Sequence, residues 1–74
     1  MLVQVRLFAT FRQGRFKEKQ IELPDGASLA DLLTLLEIEQ EKAPILLRNG
    51  IAASKDAKLV HNDVLAIFPP IAGG

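Results

Sequence analysis

The leucines at 29, 32, 33 and 36 constrain this chain more than any other feature. They recur at i, i+3, i+4 and i+7, which sets them along one side of a helix, while Ala30, Asp31, Thr34 and Glu37 fall on the other. A helix with one apolar stripe has to bury that stripe against something. Ser28 precedes it as a good N-cap, and Asp31, three residues on, forms a weaker relative of the capping box. The spacing predicts a helix over residues 28–37, SLADLLTLLE. Each leucine contributes about 1.5–3 kcal/mol when fully buried. The stripe reads as core, with a leucine seam against a second helix as the competing reading.

The segments around this helix alternate with a period of two. In residues 2–8, LVQVRLF, the side chains of Val3, Val5 and Leu7 share one side and Gln4, Arg6 and Phe8 the other, as in a half-buried strand. Residues 12–15, RQGR, supply a turn, and residues 16–23 pair back as a hairpin that Pro24, Asp25 and Gly26 break. After the helix, residues 37–44, EIEQEKAP, read as a charged connection ending at Pro44. Residues 45–49 form a short strand, Asn49-Gly50 is the strongest two-residue hairpin signal, and residues 51–54 return from it. Residues 58–60 add a minor strand or a turn, residues 61–63 reverse the chain, and residues 64–68, VLAIF, form the final strand.

A helix that comes after a hairpin crosses one face of a sheet, which gives a two-layer α+β domain. The first and last strands are the most apolar and are expected to lie side by side, parallel and bridged by everything between them. This is the β-grasp, or ubiquitin-like, arrangement: a mixed sheet of four to five strands on one main helix, in a single domain over residues 1–74 with a flexible Gly-Gly tail.

A chain of 74 residues is near the lower size for one self-sufficient core. It has no Cys, so aliphatic packing has to hold it, and disulfides, thiolate metal sites and cysteine nucleophiles are excluded. Net charge is zero but uneven: residues 1–20 carry five basic side chains against Glu18, and residues 21–41 carry six acidic ones and no basic one. That balance argues against nonspecific nucleic-acid binding. It fits a solvated acidic helix beside basic strands, or a polarised surface that steers one protein partner. No apolar run reaches membrane-spanning length, and a cytoplasmic protein is expected. His61 is the only histidine and has no second ligand nearby, which points to a solvated turn residue and to no metal site. Glu37, Glu39 and Glu41 lack the spacing of a calcium loop, and no glycine loop cradles phosphate. Nothing here catalyses a reaction by itself.

The last seven residues are FPPIAGG. A chance Gly-Gly ending has a frequency of roughly one in 200 at average glycine usage, so the pair is read as informative. Pro69 and Pro70 stop the strand and send the chain outward in an extended path, because proline fixes φ and restricts the residue before it. Glycines lack Cβ and let backbone enter a narrow channel. The reactive atom of such a tip is the carboxyl carbon of Gly74, once adenylation has given it a leaving group. Ordering Ile71, Ala72, Gly73 and Gly74 costs about 1–2 kcal/mol each, so recognition has to come mainly from the folded body. If Leu7 and Ile67 face the helix, Phe8 and Phe68 share the uncovered side of the sheet, an aromatic docking anchor beside the tail.

The ending FPPIAGG, with LFATFR at 7–12 and Asn49-Gly50, resembles the ubiquitin-like sulfur carriers, in particular the small subunit of molybdopterin synthase. The resemblance implies that Gly74 is adenylated by a ubiquitin-activating-type enzyme that uses ATP, then converted to a thiocarboxylate. The sulfur then passes to a pterin precursor held by the synthase large subunit, in molybdenum or tungsten cofactor biosynthesis. It gives Gly73, Ala72 and Ile71 the tail role and places Phe8, Arg12 and Phe68, with Pro69 and Pro70, among partner-contacting residues. It implies no cofactor bound to the chain itself. His61-Asn62-Asp63 stands where many relatives have an acidic-glycine-acidic turn, a departure that bears on turn geometry more than on chemistry. The alternatives are a carrier for thiamine thiazole, acting with thiazole synthase, a carrier in another sulfur-transfer pathway, a ubiquitin-like modifier of lysines, and a noncovalent interaction module.

Overall fold

The computed structural model describes residues 1–42 and 44–70. Its helix, α1, spans Leu29–Leu35 and begins where Ser28 is extended, with φ -101° and ψ 171°. Ser28 Oγ accepts the N–H of Asp31 at 3.2 Å, and Asp31 Oδ2 accepts the N–H of Ser28 at 2.9 Å. Aspartate therefore completes the reciprocal capping box that glutamate usually makes. The two donors in between are met from a distant loop, Leu29 N–H by the carbonyl of Ala57 at 3.0 Å and Ala30 N–H by that of Lys55 at 2.7 Å. All four donors of the first turn are thus satisfied.

The helix is shorter than the predicted 28–37 because Glu37 takes a left-handed conformation, φ 59°. The Ile38 N–H then donates to Leu33 O at 2.9 Å and the Glu37 N–H to Thr34 O at 3.1 Å, the paired bonds of a Schellman end. That geometry turns Ile38 inward, and it is buried in the core although the sequence reading made its segment a charged connection. Leu36 is correspondingly only half-buried. Arg15 closes the same end from the first hairpin, its Nε donating to Leu36 O at 2.9 Å and its Nη2 to Glu37 O at 3.1 Å.

Five strands form one sheet: β1 Leu2–Leu7, β2 Glu18–Glu22, β3 Ile45–Arg48, β4 Ile51–Ala52 and β5 Val64–Phe68. Their order is β2-β1-β5-β3-β4. The β1 and β5 strands pair in parallel, with Val5 opposite Leu65 and Leu7 opposite Ile67, and every other pairing is antiparallel. Asn49 and Gly50 turn the β3–β4 hairpin with φ 52° and 82°, the two positive values a tight hairpin needs. Residues 58–60 make a single bridge, Lys58 to Ser28, and bury Leu59. The core lies between α1 and one face of the sheet: Val3, Val5, Leu7, Leu46, Leu65 and Ile67 meet Leu29, Leu32 and Leu33. Three of the four stripe leucines are therefore fully buried, which answers the helix-seam alternative. No helix among the described residues is long and apolar enough to cross a membrane.

Candidate functional site

Alternation that sends Val5, Leu7, Leu65 and Ile67 into the core sends their neighbours to the uncovered face. Register sets Phe68 beside Ile45, Ala66 beside Leu47, and Val64 beside Gln4. The β5–β3 half of this face is apolar. Its β1–β2 half is polar: Arg6 Nε lies 3.4 Å from Glu18 Oε1, and Gln4 Nε2 donates to the other oxygen of the same carboxylate.

At the end of β1 the chain reverses through Ala9, which holds φ 51°, and enters a 3-10 turn, Ala9–Arg12. The Phe8 N–H donates to Ile67 O at 3.2 Å, which seats Phe8 against the end of β5. The rings of Phe8 and Phe68 stack with centroids 4.2 Å apart and planes 12° from parallel. Arg12 folds back over this pair, with Cζ 5.2 Å from the Phe8 centroid and Nε donating to Leu7 O at 2.7 Å. Beside the stack, Ala9, Ile45, Phe68, Pro69 and Pro70 line an open apolar groove of about 480 Å³.

The structure thus brings together Phe8, Arg12, Phe68, Pro69 and Pro70, five residues the sequence reading singled out. Ile71, Ala72, Gly73 and Gly74 lie outside the described residues. Ala9 and Ile45 were missed. Ile45 was legible in principle, since counting back from the Asn49-Gly50 turn puts it on the uncovered face. The left-handed Ala9 has no sequence signal, because alanine rarely adopts that conformation.

A second cluster anchors the start of β5. Asp63 is buried, although the sequence reading made it part of a reversing turn. Its Oδ2 accepts the Val60 N–H at 2.8 Å and Arg48 Nε at 2.9 Å, and its Oδ1 accepts Asn49 Nδ2 at 3.0 Å. Burial alone raises the carboxyl pKa, but the Val60 N–H, the Asn49 amide and the Arg48 guanidinium together hold it below its ordinary 3.8. Asn62 precedes it at φ 72°, a position that favours glycine and that asparagine tolerates. His61 is exposed as expected, yet its Nδ1 accepts the Leu2 N–H at 3.0 Å and so ties this turn to β1. These residues build the turn and stand apart from the aromatic stack.

The model of the ThiS family matches residues 5–74. The chain belongs to that family. Solved structures agree with the assignment. SAMP1 of Haloferax volcanii, a small archaeal modifier protein, is 26% identical with a TM-score of 0.80, and each chain covers 100% of the other. A protein assigned as molybdopterin converting factor subunit 1, from Pyrococcus furiosus, is 33% identical with a TM-score of 0.77 over 96% of this chain and 99% of its own. In a complex of subunits 1 and 2 of the molybdopterin-converting factor from Helicobacter pylori, the matched chain is 21% identical with a TM-score of 0.66, and each chain covers 100% of the other. That last likeness shows the fold alone. No curated protein matches the chain. This ThiS-family member therefore has the ubiquitin-like β-grasp fold, with the parallel β1–β5 pair at its centre and the Phe8–Phe68 stack at the end of that pair.

Proposed function

We propose that this protein is a sulfur carrier for molybdopterin biosynthesis, with the carboxyl group of Gly74 as its working atoms. The observation that supports the reading most directly is the Phe8–Phe68 stack, set on the uncovered face where β5 runs into Pro69 and Pro70. An apolar patch on the folded body is what delivery of a glycine-ended tail to another protein's active site requires, because residues without side chains supply little docking energy of their own. The likeness to the Pyrococcus furiosus protein supports the synthase large subunit as the acceptor partner.

The chemistry runs in two displacements on an adenylating partner. The Gly74 carboxylate attacks the α-phosphorus of ATP and expels pyrophosphate, leaving an acyl adenylate. A hydrosulfide ion then attacks the acyl carbon and AMP leaves, and loss of the S–H proton gives the thiocarboxylate. This chain supplies only the acyl group and the docking surface.

Intact-mass spectra after incubation with an adenylating enzyme of this type, ATP and a sulfur source are expected to show one carboxyl oxygen replaced by sulfur. An unchanged mass across all such partners would refute the reading. Rescue of cofactor-deficient strains separates the branches, since restoring thiamine alone transfers the protein to thiazole synthesis. The likeness to SAMP1 favours a second reading, in which the same activated carboxyl forms an amide with lysines. Gly-Gly remnants on lysines of other proteins after proteolysis would establish it.

A further inference from the structure

Arg12 entered as a partner-contacting residue by resemblance, but its geometry gives it an internal task. Its Nε is committed to Leu7 O, five residues back, a contact made possible by the reversal at Ala9. Its guanidinium lies over Phe8, and Phe8 lies against Phe68. Phe8 is also tied through its N–H to Ile67, the residue before Phe68. Phe68 precedes a proline, so its backbone is confined to extended conformations. The main freedom left at this junction is rotation of the Phe68 side chain, and the stack removes it.

We propose that Arg12 is a positioning residue: acting through Phe8, it holds the aromatic stack closed and so fixes the shape of the apolar docking patch beside Pro69. This deepens the carrier reading and rests on it for its functional consequence. The competing role, a direct contact from Arg12 to the partner, makes a different prediction in a double-mutant cycle.

The first measurement needs no partner. In Arg12→Ala, NMR of the free protein is expected to show loss of the Phe8–Phe68 ring contacts and of their ring-current shifts. Methyl signals of Val5, Leu65 and Ile67 on the opposite face should stay in place, which establishes that the variant is folded. An intact stack in Arg12→Ala would overturn the proposal. The second measurement is kcat/KM for adenylation in wild type, Arg12→Ala, Phe8→Leu and the double variant. Arg12→Ala is expected to lower it by about fivefold in the wild-type background and by less than about twofold once Phe8 is gone. Equal losses in both backgrounds would make Arg12 a partner ligand and end the positioning role. If wild type is not adenylated at all, the carrier reading fails, and the free-protein spectra alone then sustain or overturn the Arg12 proposal.

Discussion

Asp63 shows how one buried carboxylate ties two segments together through three donors. It receives donors from the β3–β4 hairpin through Arg48 and Asn49, and from its own turn through Val60. Asp63→Ala leaves those donors without an acceptor and is expected to lower stability by about 2–3 kcal/mol, measured by urea unfolding near neutral pH. Because the folded carboxyl titrates below 3.8, the unfolded chain takes up the proton first as pH falls. The stabilisation is complete above that value and fades as pH drops through the folded one, so the gap between wild type and variant should narrow under strong acid. The cluster was not visible in HND at 61–63, because two of the three donors to Asp63 come from residues 14 and 15 positions away. What the sequence did convey was the reversal itself, and Asn62 explains how the turn forms without a glycine at its left-handed position.

At the scale of elements, α1 is short and satisfied at both ends. Its start was legible because Ser28 and Asp31 stand at cap spacing, whereas its end was misread by two residues. A glutamate in a left-handed C′ position carries no sequence cue, since glycine is the residue that marks such ends. Glu37→Gly is expected to raise stability by about 0.5–1 kcal/mol, visible as a higher Tm, because it removes the conformational penalty and keeps both Schellman bonds. An unchanged or lower Tm would mean that the Arg15 contacts to Leu36 O and Glu37 O depend on the side chain at 37. The strands were easier: alternation in LVQVRLF and VLAIF gave the sheet faces, and Asn49-Gly50 gave the hairpin.

Across the whole molecule, the sheet separates two duties. One face holds the fold together through the leucines of α1, and the other carries the aromatic stack and the groove beside it. Phe68→Ala should therefore cost only about 1–2 kcal/mol of stability, since it removes a half-buried ring and its stacking on Phe8, while weakening partner binding more than tenfold in calorimetry. Collapse of the fold in that variant would assign Phe68 to the core. The parallel β1–β5 pairing also places the last strand in the middle of the sheet, between β1 and β3. During synthesis the central gap can be filled only after residue 68 has emerged from the ribosome. Nascent chains that have not yet exposed residue 68 lack the Phe8–Phe68 surface, so a partner that docks there meets only chains whose central strand is already in place.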